Sequence, residues 1–254
     1  MFLAPRHEEI LQLAKENGRV TVEDLALRFG VTPQTIRKDL NDLCDQRLLT
    51  RIHGGALLTS GIENVEYEAR RELRAEEKRA IGRAAADFIP DKASLFINIG
   101  TTTEAVSDAL LDHKELMVIT NNINVANRMR VYPAFEVIIA GGVVRGSDGG
   151  IVGEAAVDFI RQFRVDFAVI GVSAIDEDGS LFDYDLREVK VAQAIIANSR
   201  HVILVSDSSK FERSAPVRIG HVSQVDTFIT DRCPSAMFRT VCHDSAVHLI
   251  EACA

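Results

Sequence analysis

Five short stretches between residues 100 and 210 carry groups able to hold a phosphate. Gly100, Thr101, Thr102 and Thr103 open a helical pattern in "GTTTEA", where unpaired backbone N–H groups and hydroxyls form an anion site. Thr120, Asn121 and Asn122 offer a hydroxyl and two amides. Gly141 and Gly142 let a backbone approach closely, Gly171 opens "GVSAIDEDG", and Lys210 ends "DSSK" with one ammonium. Each feature alone has an ordinary reading: such clusters cap helices, Gly-Gly makes turns, and Lys210 can pair with Asp207 and only pin its loop. Their recurrence after successive apolar runs points to a phosphorylated ligand.

A second set lies near the amino terminus. In "TPQTIRKDLNDL", Thr32 caps a helix and Pro33 suits its first position, while Ile36, Leu40 and Leu43 form an apolar stripe. Gln34, Thr35, Arg37 and Lys38 are left facing outward, early in the helix. Amide and hydroxyl groups read base edges there, and the two cations meet phosphate or guanine.

These residues need elements to position them. Three helices fit before residue 48: about His7 to Glu16, a second opening at Thr21 and ending at Phe29-Gly30, and the Thr32 helix. A short glycine-containing turn joins the last two, which makes a helix-turn-helix. "LLTRIHGGAL" then reads as a small β-wing that carries Arg51 and His53 to the flanking DNA backbone. The charged stretch "EYEARRELRAEEK" reads as a linker entering a solvated helix that runs to about Ile89, before Pro90.

Beyond Pro90, six apolar runs ("SLFINI", "LMVIT", "FEVIIA", "DFAVIG", "HVILVS", "DTFIT") alternate with helical segments near 103–112, 123–130, 151–162, 185–198 and 234–241. Continuous apolar strands alternating with helices mean an α/β domain with a mainly parallel sheet, whose ligands gather past the strands' carboxyl ends. The expected layout is a winged helix-turn-helix over 1–58, a linker over 59–78 and an α/β sensor and oligomerisation domain over 79–254.

Composition bounds the function. Residues 1–57 hold eight basic and eight acidic side chains, so the whole net charge of −8 lies in the remainder. An acidic body with a neutral, locally basic head still grips DNA through the head. No apolar run reaches the roughly 18 residues of a membrane span, and "MFLAPRHEEI" lacks a signal-peptide pattern. Cys44, Cys233, Cys242 and Cys253 show no metal-ligand spacing and read as reduced thiols in a cytoplasm. No Walker motif, G-x-S-x-G elbow or H-E-x-x-H pair occurs, so no metal, cofactor or catalytic residue is expected.

Arg6, "TPQTIRKDL" and "HGGA" together resemble the DeoR family of bacterial repressors, and the likeness extends along the whole chain. That resemblance implies operator DNA as a partner. It also implies a sensor domain related in fold to ribose-5-phosphate isomerases and coenzyme A transferases, with a phosphorylated sugar or polyol as inducer. "LFINIGTTTEAV", "TNNINVAN", "DGGIVGEA" and "VILVSDSSKF" are most similar to members responding to glycerol 3-phosphate, with other sugar phosphates as the alternative. Asn98 stands where many relatives carry Asp. The rival class is an isomerase. Such an enzyme carries two aspartates in the loop after the fourth strand, where this chain has Gly171 and Ala174, and Glu188 alone reads as structural or solvated. A single winged head reads few base pairs, so a homodimer or homotetramer is expected.

Overall fold

The computed structural model describes residues 5–17, 19–45, 48–52, 54–58 and 67–252. The chain divides into two compact units, Met1–Glu63 and Asn64–Ala254. In unit 1, α1 (Pro5–Asn17), α2 (Val22–Phe29) and α3 (Pro33–Asp45) surround a core of Ile10, Ala14, Leu25, Ile36, Leu40 and Leu43. The stripe read from the spacing is therefore the buried face. Thr21 caps α2 through its hydroxyl, 3.1 Å from Asp24 N, and Gly30 closes the helix in a left-handed conformation. Strands β1 (Arg19–Thr21), β2 (Leu49–Ile52) and β3 (Gly55–Leu58) pair antiparallel in the order β1-β3-β2. β2 and β3 are the expected wing, and β1 adds a third strand that three residues of sequence did not announce.

Asp39 is the buried acid of α3, held by Arg6 Nε at 2.7 Å and by His7 Nε2 at 3.3 Å. Burial pushes its carboxyl up, but the Arg6 guanidinium and His7 outweigh that and hold it below the usual carboxylate range. Arg6, one residue of the signature quoted above, thus ties α1 to α3.

Unit 2 begins with α4 (Tyr67–Glu72) and α5 (Ala75–Ala86), followed by β4 (Ser94–Ile97), α6 (Thr101–Ala109), β5 (Leu116–Thr120), α7 (Ile123–Met129) and β6 (Phe135–Ile139). A hairpin of β7 (Val143–Val144) and β8 (Ile151–Val152) leads to α8 (Glu154–Ile160) and β9 (Val165–Ile170). Then come β10 (Ala174–Ile175), β11 (Ser180–Asp183), α9 (Leu186–Ala197), β12 (Ser199–Val205), β13 (Val217–His221), β14 (Thr227–Thr230), α10 (Ala236–Asp244) and β15 (His248–Glu251).

Seven strands form one sheet in the order β15-β14-β12-β9-β4-β5-β6, and every pairing in it is parallel. The six apolar runs are six of these strands. β15, in the weakly patterned "HLIE", is the seventh. A small antiparallel sheet, β10-β11-β13, was not read from the sequence. Two boundaries need correction. Residues 151–152, expected to be helical, pair with β7, and the helix expected to reach Ile89 is broken at Leu73–Arg74 and ends at Ala86.

The order places β4 beside β9, and the chain winds outward from that pair in both directions. This is the switch point at which an open parallel sheet leaves a crevice. α5 and α6 cross closely over Gly82, where an added Cβ would stand 2.5 Å from the carbonyl oxygen of Ala105 and 2.8 Å from its carbon. Gly82→Ala is expected to cost about 1–3 kcal/mol through overpacking. That lowers the melting temperature of unit 2 by roughly 2–4 °C per kcal/mol, measurable by calorimetry of the whole chain.

Candidate anion site and nucleic-acid face

On α3 the outward set is as expected: Thr32, Gln34, Arg37 and Lys38 are exposed and Thr35 is half-buried. The Thr32 hydroxyl accepts from Thr35 N at 3.3 Å and lies 3.0 Å from the Thr35 hydroxyl, so both threonines shape the start of the helix. Arg37 donates to the Gln34 side-chain oxygen at 3.4 Å. The first turn of α3 contains no acid, and Asp39 is turned inward, so the face is cationic. Arg51 lies on β2 opposite Ala56, and His53 falls outside the described residues.

In unit 2, the carboxyl ends of β4 and β9 bring Gly100–Thr103 and Gly171 together. A Cβ on Gly171 would lie 3.5 Å from the Thr103 methyl and 3.7 Å from the carbonyl oxygen of Ile99. Gly100 has φ +147 and begins α6, so the first N–H groups of that helix face the crevice end of the sheet. Thr101 remains half-buried, whereas Thr102 and Thr103 are buried. The Thr103 hydroxyl donates to the carbonyls of Asn98 and Gly100, so it braces the loop.

Thr120, Asn121 and Asn122 are also committed locally. Thr120 donates to the Ile97 carbonyl, Asn121 Nδ2 to Ile151 O, and Asn122 caps α7 while donating to Glu104. Two carbonyl oxygens, Asn98 Oδ1 and Asn121 Oδ1, are buried just past the ends of the adjacent strands β4 and β5 and accept no hydrogen bond from a described residue. Gly142 packs against Ile151, Val152 and Ala156, and Gly141 has open space around it, so both serve the β7–β8 hairpin.

Lys210 sits on a short 3₁₀ turn (Ser208–Glu212) past β12, and no hydrogen bond or ion pair joins its ammonium to Asp207 among the described residues. Asp207 caps that turn through Ser209 N at 3.1 Å instead. Burial, then the charges of Arg213, Arg70 and Lys78, push Lys210 down to about 8, against the opposing field of Asp207. Lys210 thus feels Arg213, Arg70 and Lys78 on one side and the carboxylates Asp207 and Asp183 on the other.

Several charged residues at this edge escaped the sequence reading. The segment expected as a solvated helical face is bound to the body. Tyr67 OH donates to Glu104, and Arg70 pairs with Asp148 at 3.5 Å. Arg74 reaches Ser208 Oγ at 3.1 Å, Asp231 at 3.5 Å and Asp207 at 3.9 Å. Lys78 is buried and its ammonium donates to the carbonyls of Arg70 and Leu73. The available signal was their period: positions 67, 70, 74 and 78 follow helical spacing.

Beside them Arg145 binds Asp148 at 2.7 Å, Asp185 at 3.4 Å and Glu188 at 2.5 Å. Burial opposes the Arg145 charge, but its bonds to Asp148 and the field of Glu188 prevail, so its pKa is raised. Burial and the charge of Asp183 push Glu188 up to about 8 despite Arg145. Burial likewise raises Asp183, whose carboxyl accepts from Ser173 Oγ at 3.1 Å and from Tyr184 N. Glu188 is thus buried beside Arg145 and not solvated. No group of three or more potential metal-binding side chains occurs among the described residues.

Comparison with known proteins fits both halves. Residues 6–61 match the DeoR-like helix-turn-helix domain, and residues 73–232 match the DeoR C terminal sensor domain. The glycerol-3-phosphate regulon repressor of Escherichia coli (strain K12) is 50% identical over 244 residues, covering 96% of this chain and 97% of its own. The protein of the same name from Haemophilus influenzae is 48% identical over 232 residues, covering 91% of each chain. Among solved structures, ribose 5-phosphate isomerase from Plasmodium falciparum aligns over 54% of this chain and 52% of its own, at 14% identity and a TM-score of 0.40.

A carboxyl raised to about 8 holds its proton more tightly in the folded than in the unfolded state. Its contribution to stability is present below about pH 4.5 and is lost as pH rises through 8. Glu188→Gln keeps a hydrogen-bonding partner for Arg145 and removes that titration. The fall in melting temperature between pH 5 and 8 should therefore be shallower in the variant, with Asp183 sustaining the remainder, as thermal melts across that range will read.

Proposed function

Because the chain belongs to the DeoR family, we propose that it represses genes of glycerol and glycerol 3-phosphate metabolism. It binds operator DNA as a cytoplasmic homodimer or homotetramer and releases it when glycerol 3-phosphate occupies the carboxyl edge of the parallel sheet. The observation that carries this reading is the end-to-end 50% identity with a glycerol-3-phosphate regulon repressor. The geometry supports it in both units. α3 offers Gln34, Arg37 and Lys38 on one exposed face, and the edge of the sheet gathers α6 N–H groups and the Lys210 ammonium. Arg51 and His53, on the wing, would meet flanking phosphates.

In the sensor, the N–H groups of Gly100, Thr101 and Thr102 and the Lys210 ammonium would hold the phosphate. Thr103, Thr120, Asn122 and Gly171 shape the walls, Asn121 presents an unsatisfied acceptor, and Gly141 and Gly142 belong to the bordering hairpin. The site binds and does not turn over. Two acids of this edge, Asp183 and Glu188, are enclosed with Ser173, Tyr184 N and Arg145, so neither is placed to move a proton between substrate carbons.

The DNA-binding half is tested on the whole protein with duplexes selected from a random pool. Arg37→Ala or Lys38→Ala should weaken binding about tenfold or more at fixed salt, since charge-assisted contacts are lost. Gln34→Ala should broaden the selected sequences. Unchanged gel-shift affinity in both charge variants would remove α3 from the interface.

The sensing half makes a prediction about pH. A bound dianion favours the charged form of Lys210, so binding takes up a proton once the free lysine begins to lose it near 8. Glycerol 3-phosphate affinity should be level up to about pH 8 and then fall by up to tenfold per pH unit. Lys210→Ala should lose roughly 10- to 150-fold at neutral pH, equivalent to about 1.5–3 kcal/mol, and should abolish the alkaline fall. Titration calorimetry from pH 7 to 9.5 measures both.

A further inference from the structure

Asn98 and Asn121 are each 1% exposed, and the side-chain carbonyl oxygen of neither accepts a hydrogen bond from a described residue. The register of β4 and β5 brings the two together. Ser94 pairs with Met117 and each following residue with the next, as far as Ile97 with Thr120. One further step sets Asn98 beside Asn121, on strands about 5 Å apart. Asn98 is still held in the sheet there, because its N–H donates to Val169 O at 3.0 Å. Side chains alternate along a strand, so both asparagines continue the face of Phe96 and Ile119, which share one core cluster with Ile151. Leu95, Ile97 and Val118 pack on the other face. Asn121 Nδ2 donates to Ile151 O at 3.1 Å, which anchors that amide and leaves its oxygen without a donor. The pair lies at the root of the candidate phosphate loop: Gly100 follows Asn98 by two residues, and the Thr103 hydroxyl donates to the Asn98 backbone carbonyl at 2.7 Å.

A buried carbonyl oxygen without a donor has given up its hydration with nothing in return, and folded proteins rarely keep two such groups side by side. A phosphate dianion cannot satisfy them, since it brings only acceptors. The N–H groups that begin α6 suit the phosphate; the two carbonyl oxygens suit what a phosphorylated polyol carries next to it, its hydroxyls. As an amide, Asn98 accepts a hydrogen bond without adding a negative charge beside the dianion.

Resting on the reading that this edge binds a phosphorylated ligand, we propose that the side-chain oxygens of Asn98 and Asn121 accept the ligand's hydroxyls, which makes Asn98 a specificity-determining residue for a polyol phosphate. A site built to hydrogen-bond a hydroxyl rejects the analogue that lacks it, because the buried partner is then left unpaired. Glycerol 3-phosphate brings two hydroxyls on adjacent carbons. Dihydroxyacetone phosphate brings one hydroxyl and a carbonyl, which sets an acceptor against an acceptor, and propyl phosphate brings no hydroxyl. The sensor therefore separates the reduced triose phosphate from its oxidised counterpart.

The test is calorimetric titration of the whole protein with glycerol 3-phosphate, dihydroxyacetone phosphate, propyl phosphate and ribose 5-phosphate, beside thermal melts. The wild-type protein should bind dihydroxyacetone phosphate about tenfold more weakly than glycerol 3-phosphate, and propyl phosphate more weakly again. Asn98→Leu removes one acceptor at similar volume. It should melt no lower than wild type, and its preference for glycerol 3-phosphate over propyl phosphate should shrink about tenfold or more. Asparagines that serve only the fold, or that hold bound water alone, would leave that preference intact. An intact preference in Asn98→Leu, or a wild-type protein that binds propyl phosphate as tightly as glycerol 3-phosphate, would overturn the proposal and leave the phosphate site standing. The wild-type comparison needs no variant, so it decides the matter even where Asn98→Leu does not fold. Binding of no phosphorylated compound at all would remove the site and the proposal with it. Tighter binding of ribose 5-phosphate than of glycerol 3-phosphate, with the loss of preference over propyl phosphate in Asn98→Leu, would sustain the proposal while removing the glycerol reading.

Discussion

A parallel sheet sends the carboxyl ends of all its strands to one edge, and unit 2 has seven such strands. The edge collects their outgoing loops and, here, the buried charge of the unit's described residues: Glu104, Asp148, Asp183, Glu188, Asp207 and Lys78. A buried charge needs a partner or loses its charge. Each of these residues has met that demand in its own way. Asp148 and Asp207 stay ionised beside cations, Glu188 and Asp183 are driven toward protonation, and Lys78 is bonded to two carbonyls. The rest of the unit follows from this: where α4 and the start of α5 must lie, why Arg145 is central, and why Lys210 is readily neutralised.

Unit 1 solves a smaller version of the same problem. α3 must be apolar on one side and cationic on the other within thirteen residues, and it has an acid in its second turn. Directed outward, Asp39 would cancel part of the field of Arg37 and Lys38. Bound to Arg6 and His7, it becomes the link between α1 and α3 and leaves the outer face positive. The Arg at position 6 therefore serves packing and electrostatics together.

Much of this was legible in the sequence because it depends on local pattern. The stripe Ile36–Leu40–Leu43, the Thr21 cap and six apolar strands are written in consecutive residues, and they fall where the spacing placed them. What stayed hidden depends on which residues meet across the fold. "EYEARRELRAEEK" is charged like any solvated helix, and only the distant Asp148, Asp207 and Asp231 turn its arginines inward. β15 and the β10-β11-β13 sheet escaped because two- to four-residue strands carry too little periodicity. Thr103, Thr120 and Asn122 were identified as polar groups at strand ends, but their hydrogen bonds serve loops, which composition cannot distinguish from ligand contacts.

The way charge is neutralised at this edge also bears on what the site can do. A catalytic acid or base must face the substrate with a proton to give or take, and its pKa is tuned for that. Glu188 has a pKa in the right range, near 8, yet its carboxyl is enclosed with Arg145 against the wall formed by Asp148 and Asp185. Its tuning follows from burial beside Asp183 and does not depend on any substrate. Arg74, by contrast, reaches Ser208 Oγ at 3.1 Å and Asp231 at 3.5 Å. Burial and the pairing of neighbouring groups account for the tuning of Glu188 without a substrate.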